Sequence, residues 1–236
     1  SSRLALLGDS FAAGLEVPAE QSFPGILARQ GGGQTEVKTF GVTGYSPVLY
    51  DLLWRTKVQH YQPTHVLVLL YCNDTVDDEN YAADAVRNAQ GEIVAVPSRH
   101  SAFFHRLFRH SFLVRLVKKK LAEFHARHER GVAIGGYNEP NRDIEGETQH
   151  ALLNLKASVR ASGARLILSA VPSKAKLFGA LPKSAPTFED KVKAWAHRHE
   201  VEYLDLAPAF QKASRHEALY FPRDIHWNAA GHRVAA

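Results

Sequence analysis

Three short clusters in this sequence carry side chains that together can transfer an acyl group. Gly8-Asp9-Ser10 puts a hydroxyl just past the apolar run Arg3–Leu7. Asn73-Asp74 puts a carboxamide just past the apolar run His65–Tyr71. Asp224-Ile225-His226 puts a carboxylate beside an imidazole near the C-terminus. A serine nucleophile needs a histidine to take its proton, and an aspartate to hold that ring's tautomer and stabilise the imidazolium. Charge developing on the carbonyl oxygen needs neutral donors, which a carboxamide and backbone N–H groups supply. A fourth cluster, Gly41-Val42-Thr43-Gly44, offers backbone that can approach a ligand closely. Taken singly, each has a structural reading: a helix-capping serine, loop glycines, a turn asparagine, a capping aspartate beside a surface histidine.

The elements that must position these groups read as an alternation of strands and helices. Arg3–Leu7, Val37–Phe40, His65–Tyr71, Ala164–Val171 and Val201–Leu206 read as strands. His65–Tyr71 is apolar throughout, as a parallel strand covered on both faces should be. Helical spacing runs through Phe11–Gln30, Ser46–Tyr61 with Pro47 in its first turn, Asp143–Ser162, and Ala185–Glu200. Gly31, Gly32 and Gly33 break the first of these and read as a turn. The alternation predicts an α/β fold: a flavodoxin-like, three-layer α/β/α sandwich with a five-stranded parallel sheet. Ligands in such sheets bind beyond the carboxyl ends of the strands. Gly8-Asp9-Ser10, Gly41–Gly44 and Asn73 all follow directly on strands.

These blocks resemble those of the SGNH (GDSL) hydrolase superfamily, from residue 8 to residue 232. The stretches GDSFAAGLEVPAEQSFPGIL, FGVTGYS, HVLVLLYCNDTVDDEN and FPRDIHWNAAGH are similar to one bacterial branch of it, the GDSL-type esterases and lipases. The resemblance implies Ser10 as nucleophile, His226 as general base and Asp224 as the residue that orients it. It implies an oxyanion hole built from the backbone N–H groups of Ser10 and Gly44 and the side chain of Asn73. The sequence departs from the usual blocks twice. Tyr71 stands where a glycine is usual, which predicts a narrower pocket wall. Asp224 and His226 are separated by one residue and not two, a spacing that also resembles some polysaccharide O-acetyltransferases. Asp205, after the strand VEYLDL, is the alternative aspartate and reads as structural.

Composition bounds the rest. The 236 residues are 45% hydrophobic and 22% charged, which suits one globular domain. The formal charge is +5, but Arg99–Arg130 holds nine Lys/Arg against two Asp/Glu, so the remainder carries about −2. A basic surface built all over for nucleic acid is excluded on that count. Cys72 is the one cysteine, so no internal disulfide forms. No apolar run reaches the length of a membrane span. The chain holds no methionine and reads as processed or trimmed, and its end soon after His232 leaves open whether a C-terminal segment is missing; a secreted or periplasmic location is slightly favoured.

Residues 75–137 interrupt the strand–helix rhythm and read as an insertion or cap within a single domain spanning 1–236. Leu113, Val114, Val117, Leu121 and Phe124 recur at helical spacing, with Arg115, Lys118, Lys119 and Lys120 between them. This amphipathic helix reads as a core-facing helix with a solvated face or as a cap over the site. Segment 99–130 also offers a surface for a membrane or another anionic partner. The thirteen histidines include no metal-ligating spacing: His125 and His128 lack a partnered carboxylate, and His197 and His199 do not share a helix face. No metal and no cofactor are expected. The expected activity is a serine esterase that removes small acyl groups, acetyl above all, from a carbohydrate or similar polar substrate. An O-acyltransferase, a lipase or thioesterase, and an inactive binding module remain open as alternatives.

Overall fold

A computed structural model of the chain describes residues 2–97, 141–182, 184 and 186–236. The sheet comprises β1 (Ser2–Gly8), β2 (Thr35–Thr39), β3 (His65–Leu70), β6 (Arg165–Ala170) and β7 (Glu202–Leu204), all parallel, in the order β2-β1-β3-β6-β7. This is the doubly wound, flavodoxin-like α/β arrangement that the alternation predicts. Strand β3 lies at the centre and is buried from Val66 to Leu70. Chain direction reverses its progress across the sheet between β1 and β3, which makes the carboxyl ends of those two strands the binding crevice.

The helices differ from the sequence reading in their breaks. The span Phe11–Gln30 is not one helix. It is α1 (Ser10–Ala13), a 3-10 turn (Ala19–Gln21) and α2 (Phe23–Gln30). Gly14 takes a left-handed φ of 61° and ends α1, and Pro18 precedes the 3-10 turn. Helix α3 (Pro47–Thr56) ends before a second 3-10 turn, Val58–Tyr61. Helices α5 (Gly146–Ala161) and α7 (Phe188–Arg198) are shorter than their predicted spans, and α7 starts on a Thr187/Asp190 capping box.

Of segment 75–137, the first residues continue helix α4 (Asp74–Ala83), which packs against α3 and α5. A small antiparallel hairpin follows, β4 (Val86–Arg87) and β5 (Ile93–Ala95). The basic helix read over 113–124, with the rest of 98–140, lies outside the described residues. No described helix is long and apolar enough to cross a membrane. Short helices α6 (Lys174–Leu177), α8 (Ala207–Ala213) and α9 (Ala229–Ala235) complete the described framework.

The core reaches the crevice through one aromatic cluster. Trp227 is fully buried, and its ring meets Phe11 at 5.1 Å, Phe210 at 5.2 Å and Phe23 at 6.1 Å between centroids. Phe11 follows Ser10 and Trp227 follows His226, so this packing joins the two clusters from opposite ends of the chain. Trp227→Ala is expected to lower the unfolding free energy by about 3–5 kcal/mol. The urea midpoint would measure it, and an unchanged midpoint would show that the cluster does not hold the loop.

Candidate active site

Ser10 opens the turn from β1 into α1. Asp9 caps that turn: its carboxylate accepts the Phe11 N–H at 2.9 Å. Burial pushes the Asp9 carboxyl up to about 6, against the Phe11 hydrogen bond and the nearby His226, which pull it down. The Ser10 hydroxyl lies 2.8 Å from His226 Nε2, across 216 residues of sequence. Asp224 Oδ1 accepts twice from His226, from the ring Nδ1–H at 2.5 Å and from the backbone N–H at 2.9 Å. Burial raises the Asp224 carboxyl, but the backbone and ring N–H groups of His226 outweigh it and hold it below the usual aspartate range. Ser10, His226 and Asp224 are therefore linked in one hydrogen-bonded chain. The one-residue spacing permits this because an aspartate side chain readily accepts the N–H two residues on.

The loop that carries Asp224 and His226 is held from below. Tyr220 and Trp227 pair as an antiparallel bridge at its base, and the Phe221 N–H donates to the His226 carbonyl at 3.0 Å. Lys174, at the start of α6, is buried, and its ammonium donates to the carbonyls of Asp224 at 2.7 Å and Phe221 at 2.9 Å. That contact spans 50 residues and has no sequence signature.

Asn73 sits at the end of β3, where it begins α4. Its Nδ2 donates to Asp77 Oδ2 at 2.5 Å, one helical turn on. An acceptor there fixes which end of the amide is nitrogen. The second N–H is the one a substrate oxygen can use. Asn73 Oδ1 is buried and has no hydrogen-bond partner among the described residues. Asp77 itself is half-buried, and burial raises its carboxyl against the Asn73 bond. Beneath it, Asp78 accepts from the Ser46 hydroxyl at 2.5 Å and the Val48 N–H at 2.9 Å, tying α4 to the start of α3.

The loop after β2 presses on the nucleophile's helix. A side chain at Gly41 would overlap the backbone of Ala12 and Ala13, so only glycine lets the loop lie there. Gly44 has φ of 77°, and its carbonyl accepts the Tyr81 hydroxyl at 2.5 Å, which docks the loop on α4.

Two further positions stand outside this hydrogen-bonded chain, and Asp205 is structural as its place in the sequence predicts. Tyr71 is buried, with its ring 4.8 Å from that of Phe11, so it packs in the core. Asp205 accepts from Lys193 Nζ at 2.7 Å and from the Ala207 N–H at 3.1 Å, at the start of α8. Sequence reasoning missed Lys174, Asp77 and Glu16. Glu16 Oε1 lies 3.7 Å from His226 Nε2, and it lines a groove of about 540 Å³ with Phe221, Pro222, Arg223 and Asp224. The acidic run Asp77-Asp78-Glu79 was a visible signal; Lys174 and Glu16 had none.

Comparison with known proteins gives the family and the fold. Residues 6–234 match the GDSL-like lipase/acylhydrolase family. No curated protein sequence matches the chain. Among solved structures, TesA is similar at a TM-score of 0.57 and 14% identity, over 99% of this chain and 93% of that one. The psychrotrophic esterase EstA from Pseudoalteromonas sp. is similar at 0.55 and 12%, over 99% and 92%. A catalytic mutant of Axe2, an acetylxylan esterase from Geobacillus stearothermophilus, is similar at 0.55 and 15%, over 100% and 90%. At these identities the likeness is one of fold.

Proposed function

The chain belongs to the GDSL-like lipase/acylhydrolase family, and from that premise we propose that it is a serine esterase cleaving small acyl esters, acetyl above all, of a carbohydrate or similar polar alcohol. The carrying observation is the hydrogen-bonded chain from Ser10 through His226 to Asp224. Ser10 Oγ attacks the acyl carbon while its proton passes to His226 Nε2. Asp224 balances the imidazolium that results. Negative charge moves to the carbonyl oxygen, where the N–H groups of Ser10 and Gly44 and the second Nδ2–H of Asn73 receive it. Collapse expels the alcohol, which takes the proton back from Nε2. Water then repeats the sequence on the acyl-enzyme, releasing the acid and restoring Ser10.

The small acyl group and polar alcohol rest on the surroundings. The buried Phe11 ring lies 5.1 Å from that of His226 and is backed by the Tyr71 ring at 4.8 Å, which fills the space behind the base. Glu16, Arg223 and Asp224 bring charged groups to the adjoining groove, beside Phe221 and Pro222. The similarly folded acetylxylan esterase acts on such a substrate.

A series of p-nitrophenyl esters from two to twelve carbons tests the reading, beside labelling by a fluorophosphonate. Acetate is expected to exceed octanoate in kcat/KM by about tenfold or more, each methylene that finds no pocket costing its share of about 1–3 kcal/mol of discrimination. An optimum at eight carbons or longer would replace the esterase with a lipase or thioesterase. A wild-type protein that neither turns over nor takes the label at Ser10 would be a binding module.

A further inference from the structure

The groove beside the imidazole contains a carboxylate that the acyl-transfer chemistry does not use. Glu16 follows the left-handed turn that ends α1, and it directs its carboxylate back at His226. Its Oε1 lies 3.7 Å from Nε2, too far for a hydrogen bond. Its Oε2 is buried and has no hydrogen-bond partner among the described residues. A carboxylate oxygen buried without a donor is costly, and the part of the Glu16 side chain that lines the groove is where a ligand can meet its charge.

The position matters because of where the alcohol must be. His226 Nε2 returns its proton to the leaving oxygen, so that oxygen comes within about 3 Å of Nε2. It therefore lies within roughly 7 Å of Glu16 Oε1. The acyl half of the ester lies on the other side of Ser10 Oγ, towards the oxyanion donors. Glu16 thus borders the alcohol half alone. Arg223 lines the same groove from an exposed position, where solvent screens its charge; Glu16 is three-quarters covered.

We propose that Glu16 is the residue that selects the alcohol: it favours esters whose alcohol carries a hydroxyl or a cation beside the ester oxygen, and rejects those with a carboxylate or phosphate there. Neutral and amino sugars fit; acidic ones do not. A hydroxyl on the neighbouring carbon donates to the carboxylate, and a charge-assisted bond of this kind is about twice as strong as a neutral one. An anionic alcohol meets like charge at short range. The proposal rests on the esterase reading and adds the substrate class to it.

Three acetates with one acyl group and different alcohols test it: 2-hydroxyethyl acetate, the cationic acetylcholine and the anionic O-acetylglycolate. Each is assayed with wild type, Glu16→Gln and Ser10→Ala. The quantity read is the ratio of kcat/KM values between esters within one preparation, in which the folded fraction cancels. Wild type is expected to prefer the hydroxyethyl ester and acetylcholine to O-acetylglycolate. In Glu16→Gln the hydroxyethyl-to-glycolate ratio is expected to fall about tenfold, and the acetylcholine-to-glycolate ratio by more, since one full charge is removed at short range. Ratios that stay fixed while all three rates fall together would overturn the proposal and leave Glu16 a structural residue. Turnover that survives Ser10→Ala would overturn the esterase reading instead.

Discussion

Ser10→Ala is expected to lower acetyl ester turnover by about 10⁵-fold, and adding His226→Ala to it is expected to cost almost nothing more. The two side chains act as a unit. Without the hydroxyl there is no bond to form, and the imidazole 2.8 Å away has no proton to accept. Effects inside such a unit do not add, because the first loss already removes the step. What survives is the help that oxyanion donors and binding give to direct attack by water, and these groups are untouched by the change. The fold should survive as well, since Ser10 is buried on a short helix whose cap is Asp9, and alanine removes one oxygen without adding bulk. Steady-state kinetics of the single and double variants, with urea midpoints alongside, measure both parts. A loss below tenfold would remove Ser10 from the chemistry. A double variant far worse than the single would mean that His226 serves a reaction that does not pass through Ser10.

That the serine and histidine meet at all was legible in the sequence only in part. Strand β3 was plain because every residue from Val66 to Leu70 is buried, so no polar alternation disguises the run. Ser10, Gly44 and Asn73 could be placed because a parallel sheet puts everything after its strands on one edge. The framework helices were legible in place and not in extent. Pattern alone ran α1 into α2, since the apolar spacing continues through a break made by Gly14 and Pro18. Tyr71 was legible in place and not in packing. Spacing places it beside the site, but only the neighbouring Phe11 ring shows that it turns into the core. The contacts that set the loop of His226 were not legible. Lys174 reaches two carbonyls about 50 residues away, and a carbonyl carries no residue identity for a pattern to find. Trp227 could be read as apolar, but not as the partner of Phe11. Glu16 fell inside the span read as one helix and carried no signal until the fold set it against His226.

The one-residue spacing of Asp224 and His226 leads to the second large expectation. Asp224→Ala should lower kcat by about 10⁴-fold, whereas Asp224→Asn should lower it by only about 10²-fold. In triads where an introduced asparagine turns its NH₂ towards the ring, the imidazole is forced into the wrong tautomer and about 10⁴-fold is lost. That rotation is blocked here. One oxygen, Asp224 Oδ1, accepts both the backbone N–H of His226 at 2.9 Å and its ring Nδ1–H at 2.5 Å. An NH₂ at that place would face the backbone N–H donor to donor, so the carboxamide must keep its oxygen there. The ring keeps its tautomer and direction, and Nε2 remains the acceptor for Ser10. Only the negative charge is lost, and Asp224 is half exposed, so water screens part of what that charge contributes. Alanine removes the acceptor altogether; it frees the ring and leaves the His226 N–H without its bond. Equal losses in the two variants would show that charge, and not the shared oxygen, is what Asp224 provides. A much smaller loss for asparagine would mean that the short spacing builds the orientation of the base into the backbone of the loop itself, which a more widely spaced aspartate has to supply through its side chain alone.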